Sequence, residues 1–507
     1  MPGFVLGAAI GLLGVHAEAF SLLGPWADWM QPDIGYRLGS DIGGPMDFDE
    51  GYRWNVPILT YGFDQTFLDY FGSEGVAAVE SAIDTLNDLP PASSIVLSNY
   101  PLACLQLNYG ATAQHLLDLR SFTLSLLLEH MGLAPPSQSV FVLRQWDTNF
   151  FLSYPAQSAW PPGTIPNIIL MRNFDPETLV PTTVINGEWY TAWIEFLGTY
   201  AVIIPTRVGP FPFGDEAVAG GVNFGESYYG AFFDGLSQDD VGGLRYLLSS
   251  SNQNYETVLP DVQGTDTNPA EFVNGAWRPG VEKITFVRHP PGTNTGGFGC
   301  FVYQFTDTYI TNGVLRRQHL ERVIERPDFL FCAGDTGAGI PWTPWFARTD
   351  TAGWFNNAAL NWDDPTKAGP GVIRPPVTIT FQKLGPVVAT IDENPPGPAW
   401  IDPSGWGSFD GSTNAPVVYP AGVAQTNSQL LLRLRLSNNL GQPGASLQLG
   451  AYTWQLPVAV GRAASLQAST NLVDWVSLVE VTNTGGLIEW YQFGTDRSQR
   501  FFRAVPQ

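Results

Sequence analysis

The chain has 507 residues, of which 14% are charged, and its formal net charge is −23. This acidic balance disfavours nucleic acids and anionic membrane surfaces as partners, because both repel carboxylates. Three cysteines exclude a disulfide-rich scaffold, whereas the 54 glycines, 41 prolines and 13% aromatic residues are typical of a turn-rich, mainly β protein.

Residues 1–19 predict a secretory signal peptide, since the apolar run 4–15 precedes the small-x-small step Ala17-Glu18-Ala19. No Lys or Arg stands before the run, which departs from the usual pattern. The run is shorter than the roughly 20 apolar residues that a membrane-spanning helix needs. We therefore expect a secreted protein without a transmembrane anchor.

Residues 20–55 are rich in Gly, Pro and Trp and predict an irregular arm. The arm carries four acidic residues that are candidate calcium ligands, because calcium prefers carboxylate and carbonyl oxygens. They are Asp41, Asp47, Asp49 and Glu50. The twelve-residue calcium-loop pattern is absent, and the alternative reading is a solvated acidic surface.

Residues 56–250 alternate strand and helix patterns, which predicts an α+β domain. Residues 56–63 favour a strand, and an amphipathic helix follows from Ser73 until the Pro90-Pro91 stop. Short strands are expected at residues 94–98 and 103–109. A second long helix is predicted over residues 115–133.

The later part of this domain has two further local signals. Asn186-Gly187 predicts a two-residue hairpin turn between strands at 183–185 and 188–194. Ser237 is a suitable cap for a helix over residues 236–248. The polar residues 249–269 then predict a linker.

The remainder is β-patterned, and we divide it into a β-rich domain at 270–395 and a small β-sandwich at 404–507. One helix-like interruption is expected near residues 314–324. The predicted fold class is an α+β N-terminal domain followed by mostly-β domains, the last a small β-sandwich.

Three segments in the predicted α+β domain resemble the matrixin-like part of the metzincin zinc proteases. Residues 58–63 with the following helix look like the first strand and helix of that family, and residues 236–244 look like its closing helix. Residues 124–133, which end in Met-Gly-Leu, look like its active-site helix. The resemblance covers part of residues 56–248 and implies a metzincin-like fold.

The zinc chemistry of the family is missing from this helix. Where His-Glu-x-x-His would supply two zinc ligands and a general base, the chain has Ser125-Leu126-Leu127-Leu128-Glu129. Residues 134–138 hold no third ligand, and Glu129 and His130 are neighbours that point about 100° apart on a helix. We therefore expect a pseudoenzyme with no catalytic residue and no zinc.

The C-terminal segments 466–476, 485–486 and 499–504 are similar to a module that ends many secreted proteins of planctomycete- and verrucomicrobia-like bacteria. The resemblance implies export and placement at the cell surface or in the extracellular matrix. Trp475 is expected to fill the core of this module.

Other candidate sites have ordinary structural alternatives. Cys300 and Cys332 are a candidate disulfide, which would leave Cys104 as a buried thiol. The pairs Asp239-Asp240 and Asp363-Asp364 resemble catalytic carboxylates, but sequence neighbours rarely face each other across a substrate. Caps and turns are the alternative for both pairs.

We expect a secreted, non-catalytic bacterial surface or extracellular-matrix protein, with a structural subunit of an extracellular assembly as one version. Strand addition by residues 1–30 is a mechanism for such self-association. The alternatives are a secreted hydrolase of protein or glycan with an unrecognised site, and a carbohydrate-binding protein. Sugar stacking would use exposed aromatic clusters, among them Trp189, Trp342, Trp345, Trp354 and Trp362.

Overall fold

The computed structural model describes most of the chain from Ala19 onward. The described ranges are 19–37, 41–102, 104–114, 116–146, 167–197, 200–207, 229–265, 272–292, 297–336, 346–350, 353–356, 370–384, 387–389, 400–402, 405–420, 451–456, 463–469, 475–482, 488–493 and 501–506.

Strands dominate these residues, so the prediction of a mainly β protein with several sheets is confirmed. In chain order the strands are β1 (Phe20–Gly24), β2 (Gly44–Met46), β3 (Tyr52–Arg53), β4 (Ile58–Phe63), β5 (Leu105–Leu107), β6 (Leu116–Asp118), β7 (Val142–Trp146), β8 (Asn167–Leu170), β9 (Asn173–Phe174), β10 (Val184–Ile185), β11 (Glu188–Leu197), β12 (Tyr200–Arg207), β13 (Ala231–Phe233), β14 (Gln253–Thr257), β15 (Val262–Gly264), β16 (Gly275–Pro279), β17 (Thr285–Arg288), β18 (Phe301–Thr311), β19 (Val314–Ile324), β20 (Phe329–Gly334), β21 (Ala347–Asp350), β22 (Gly353–Asn356), β23 (Gly371–Arg374), β24 (Val377–Gln382), β25 (Val387–Ala389), β26 (Trp400–Asp402), β27 (Gly405–Ser408), β28 (Val417–Tyr419), β29 (Ala451–Leu456), β30 (Ala463–Ser469), β31 (Val476–Thr482), β32 (Ile488–Phe493) and β33 (Phe501–Pro506).

The helices are fewer, and none in the described part of the chain is long and apolar enough to cross a membrane. They are α1 (Gln65–Asn87), α2 (Tyr109–Ala113), α3 (Leu119–His130), α4 (Pro136–Ser139) and α5 (Gln238–Leu248), with short 3-10 turns at Pro32–Ile34, Phe48–Glu50, Ala92–Ser94 and Leu97–Asn99. Residues 94–98 therefore hold 3-10 turns instead of the predicted strand.

The central sheet has the strand order β17-β4-β20-β24-β21. β4 runs parallel to β17 on one side and to β20 on the other. Since β4 comes from the predicted domain 56–250 and its neighbours from the predicted domain 270–395, the boundary between them does not separate two sheets. The predicted linker 249–269 also contains the strands β14 and β15.

A second five-stranded sheet has the order β14-β16-β18-β19-β15. β18 and β19 form a long hairpin that turns at Asn312 and Gly313, both with positive φ. Residues 314–324 are therefore a strand, and the helix-like interruption was wrong. Their Leu and Val residues read as a helical stripe, but pairing along the whole of β18 and the Asn-Gly turn favour the hairpin.

One hydrophobic cluster joins residues as distant in sequence as Phe20 and Tyr419. α1 packs against the central sheet and against α3, with Phe67 and Phe71 meeting the sheet residues Phe331 and Phe381. The helix begins at Gln65, earlier than predicted, and kinks at its one residue with non-helical angles, Gly72 (φ 61°). Ser73, where the helix was predicted to begin, is the first residue after this kink.

The segment 20–55 is not an irregular arm. Its first strand, β1, is buried along its whole length between β2 and β9. The backbone N–H of Ala19 donates a hydrogen bond to Asp239 Oδ1 (2.7 Å). Of the segment 1–30 that we expected to add a strand to another subunit, residues 20–24 are thus a buried middle strand of this chain, while residues 1–18 lie outside the described residues.

Residues from the start of the predicted C-terminal module also join the main core. β27 pairs in parallel with β6 and antiparallel with β28, and Trp406 on β27 is fully buried. Further along, β30 lies between β31 and β33, and β29 pairs with β32. The sandwich arrangement of these sheets stays a prediction, and Trp475 is half-buried.

A buried carboxylate connects the two large sheets. Asp328, just before β20, accepts hydrogen bonds from the N–H (2.7 Å) and hydroxyl (3.1 Å) of Thr60 on β4. The guanidinium of Arg322 on β19 donates to both Asp328 oxygens and to Asp261 Oδ2. Asp328 thereby links β4 and β20 of the central sheet to β19 of the second sheet.

We expect Asp328→Asn to lower the free energy of unfolding by about 3 kcal/mol or more, because the buried Arg322 keeps only one carboxylate partner. Urea unfolding measures the change. The matched control is Glu177→Gln, which removes an exposed partner of Arg245 and should cost at most about 1 kcal/mol. Equal effects of the two substitutions would contradict this account of the core.

Candidate functional site

The helix that resembles a protease active-site helix is an interior element. α3 begins after Asp118, whose carboxylate accepts the N–H (2.9 Å) and hydroxyl (2.6 Å) of Ser121. It ends before Gly132, whose φ of 102° suits glycine. A Cβ at this position would collide with the carbonyl oxygen of Tyr52. The predicted start at residue 115 was too early, because residues 116–118 form β6.

The two positions that match the zinc ligands of the family lie on one helical face, four residues apart. Ser125 is buried, and its hydroxyl has no hydrogen-bond partner within the described residues. Glu129 is partly buried, and burial raises the pKa of its carboxyl from 4.5 to about 8, with a further contribution from the negative charge of Asp41. Glu129 thus retains its proton in neutral solution much more readily than an ordinary glutamate.

The neighbouring His130 is used inside the core. Its Nδ1 donates to the carbonyl oxygen of Leu126 (2.6 Å), and its own carbonyl oxygen accepts the indole N–H of Trp54 (2.8 Å). Its edge contacts Phe329. Burial lowers the pKa of His130 to about 4, so the ring is neutral at physiological pH.

These residues do not fit the zinc ion that the family resemblance implies. A zinc site needs deprotonated ligands that converge, whereas this face offers a buried hydroxyl and a carboxyl that keeps its proton. The imidazole of His130 is one residue further along the helix and packs against the ring of Phe329. The chemistry of the face is that of core packing.

The predicted calcium ligands are Asp41, Asp47, Asp49 and Glu50. Asp47 caps the 3-10 turn Phe48–Glu50 and forms an ion pair with Arg172. Glu50 accepts the Asp47 N–H (2.9 Å) in a capping box, and burial and Asp49 raise the pKa of Glu50. Over the described ranges, no three His, Cys, Asp or Glu side chains form a metal cluster, and calcium binding at these four residues stays a prediction.

The candidate disulfide is not formed. Cys300 is exposed just before β18 of the second sheet, while Cys332 lies half-buried on β20, in the central sheet. Cys104 is buried, as expected.

The other sequence candidates take structural positions or lie outside the described residues. Asp240 is the partner of Ser237 in the capping box of α5, and Asp239 accepts the N–H groups of Ala19 and Asn186. Trp354 is half-buried and donates its indole N–H to the Ile42 carbonyl oxygen. Trp342, Trp345, Trp362, Asp363 and Asp364 fall outside the described ranges.

An open cleft of about 490 Å³ lies near the end of α5. Its aromatic wall consists of Tyr246, which stacks on Phe20 (5.1 Å between ring centroids), and Phe48, whose carbonyl oxygen accepts the Tyr246 hydroxyl. The side chain of Phe48 is 42% exposed, and its ring is fixed by an edge contact with Phe174.

The rest of the cleft is lined by both apolar residues (Ala92, Ile95, Pro176 and Leu179) and polar ones. Arg245 and Glu177 form an ion pair on its wall (2.7 Å), so their charges offset each other. The other polar lining residues are Ser93, Ser249, Ser251, Asn252 and Gln253. The volume falls within the range of small-ligand sites, and this mixture of hydroxyl, amide and aromatic groups suits a neutral polar ligand.

Comparisons with known proteins give no match for this chain: no protein-family model, no curated protein and no solved structure is similar to it at a significant level. The site is therefore interpreted from its own geometry.

Sequence reasoning did not find the cleft. Its walls come from the 3-10 turn at Phe48, the loop at Glu177 and the end of α5, which are adjacent only after folding. The one available signal was the polar run 249–254, which reads Ser-Ser-Ser-Asn-Gln-Asn directly after α5. That run was assigned to a linker.

The raised pKa of Glu129 predicts a pH-dependent effect of Glu129→Gln. Between pH 4.5 and about 8 the folded chain holds this proton more tightly than the unfolded chain, so the wild type loses stability as the pH rises. We expect the variant to match the wild type near pH 4.5 and to become relatively more stable up to about pH 8.

Urea unfolding over this pH range measures the difference in free energy of unfolding between the variant and the wild type. Glu177→Gln, which replaces an exposed carboxylate, is the control, and we expect its difference from the wild type to stay nearly constant. If the Glu129→Gln advantage stayed flat or shrank with rising pH, Glu129 would not be a desolvated carboxyl.

Proposed function

We propose that this protein is a secreted, non-catalytic component of a bacterial cell surface or extracellular matrix, with a degenerate matrixin-like domain. The proposal rests on the side chains that occupy the face of α3 where the resembling proteases hold zinc. Ser125 is buried there, Glu129 has a strongly raised pKa, and His130 is bonded to its own helix. The helix is retained for its apolar contacts, and the groups of a hydrolytic centre are replaced.

Local features support the matrixin-like part. β4 leads into α1, α1 packs on α3, and α5 begins with the Ser237 capping box, which is the order of the three resembling segments. The resemblance does not account for the strands that pair with β4, which come from residues 285–334. The proposed domain is thus extended by later strands.

Export rests on the sequence of residues 1–19 and on the similarity of the C-terminal segments to a module of secreted bacterial proteins. The acidic net charge of −23 suits a soluble surface component. The finer arrangement we propose is an α+β domain, a β-rich region that shares its core, and a terminal β-sandwich.

Zinc content and proteolysis test the non-catalytic role together. We expect purified full-length protein, after incubation with zinc and dialysis, to hold well under one equivalent of zinc by elemental analysis. It should leave casein and gelatin uncut, because α3 offers neither ligands nor a general base.

Chelator treatment should also leave its melting temperature unchanged. Stoichiometric zinc together with chelator-sensitive cleavage would contradict the proposal and favour the hydrolase alternative.

A further inference from the structure

The cleft near α5 continues onto the exposed face of the second sheet. Gln253 lines the cleft and is the first residue of β14. Residues two apart on a strand point to the same face, about 7 Å from each other, so Tyr255 follows Gln253 on that face. The next residue, Glu256, points into the core and binds Arg53 (2.7 Å).

An aromatic pair extends this face across the sheet. Tyr255 lies directly opposite Trp277 on β16, and their rings meet edge to face with centroids 6.1 Å apart. The side chain of Trp277 is 44% exposed. Beyond it the same row continues through Ile310 on β18 to the exposed Leu315 on β19.

The neighbouring rows of this face are polar. Going along the β18–β19 hairpin from Ile310, Thr308 lies opposite Arg317 and Thr306 opposite His319, and then Gln304 binds Glu321 (3.0 Å). A fixed aromatic surface therefore borders hydroxyl, amide and imidazole groups, together with one guanidinium (Arg317) and one carboxylate (Glu321), beside a cleft that contains Phe48 and Tyr246.

We propose that the cleft and the Tyr255–Trp277 face together form a binding site for a neutral polysaccharide chain. This inference rests on the proposed non-catalytic function and names its ligand. One sugar unit occupies the cleft against Phe48 and the polar groups, and the following units lie along Gln253 onto Trp277. Apolar C–H faces of the rings pack on the aromatic side chains while the hydroxyls exchange hydrogen bonds with the polar rows.

The charges favour this ligand class over the alternatives. Arg245, the cation of the cleft lining, is already paired with Glu177. On the sheet face the cation Arg317 is accompanied by the carboxylate of Glu321, and the net charge of −23 repels polyanions. The same charge disfavours close packing of a second copy of the chain on this face. A lipid would leave the serine and amide groups of the cleft without partners, which is unfavourable.

Affinity electrophoresis tests the site. The intact protein is run in gels that contain hydroxyethyl cellulose, xylan, mannan or starch, and in gels that contain alginate as the anionic comparison. We expect retardation by at least one neutral polysaccharide. Trp277→Ala should weaken that binding about tenfold or more, as for a central aromatic anchor, and Gln253→Ala should weaken it less strongly.

The matched control is Trp189→Ala, which removes a 63% exposed tryptophan on β11, outside the second sheet. It should bind as the wild type does. Circular dichroism and urea unfolding confirm that the Trp277→Ala protein is folded, and Gln253→Ala probes the same site with a smaller change to the sheet.

Several outcomes overturn the inference: no retardation by any neutral polysaccharide, retardation by alginate alone, or equal losses in Trp277→Ala and Trp189→Ala. Loss only in Trp189→Ala would also overturn it and place binding on the β11 hairpin. A polysaccharide that is bound through Trp277 and also degraded would refute the non-catalytic function while leaving this site in place.

Discussion

The fold depends on the buried hydrogen bonds around Asp328. This carboxylate holds the backbone and hydroxyl of Thr60 and the guanidinium of Arg322, although Thr60 and Asp328 are 268 residues apart in sequence. Buried charges of this kind are costly unless fully paired, so they specify one arrangement of β4, β19 and β20. Arg53 does the same at β3, where it binds Glu256 and the carbonyl oxygens of Leu247, Asn252 and Arg278.

The position of α3 follows from this arrangement. With β4 fixed between β17 and β20, α1 covers the sheet and α3 fills the space beside α1, where Leu124, Leu127 and Leu128 are fully buried. A helix enclosed in this way contributes apolar contacts and leaves little room for a solvent-accessible metal centre. The surfaces that we propose for recognition are the cleft beside α5 and the outer face of the second sheet.

Local signals in the sequence predicted local structure well. The Asn186-Gly187 turn, the Ser237 cap and the apolar strand that became β4 are all present, because each depends on a few neighbouring residues. The sequence could not show that β4 pairs with strands more than 200 residues later, so the division at residues 250–270 cut through one sheet. The sequence did not reveal the proposed binding site for the same reason. Phe48 and Tyr246 meet in the cleft, and Tyr255 meets Trp277 on the sheet, only after the chain has folded.

Burial also reversed several interpretations of individual residues. The acidic residues of the 41–50 segment looked like ion ligands, but Asp47 is a cap with an arginine partner. Residues 1–30 were expected to add a strand to another subunit, but residues 20–24 of that segment are the middle strand of a buried sheet. In both cases composition described the side chains correctly and gave no information on which backbone or side-chain groups they would meet.

Native-state hydrogen exchange gives the most direct test of the claim that α3 is a structural core element. If the claim is correct, the amides of residues 119–130 exchange with the same free energy of opening as those of β4 and β20, through one cooperative unfolding. Exchange of residues 119–130 through a separate, much lower-energy opening would show a mobile helix of the kind found at active sites, and would contradict the account.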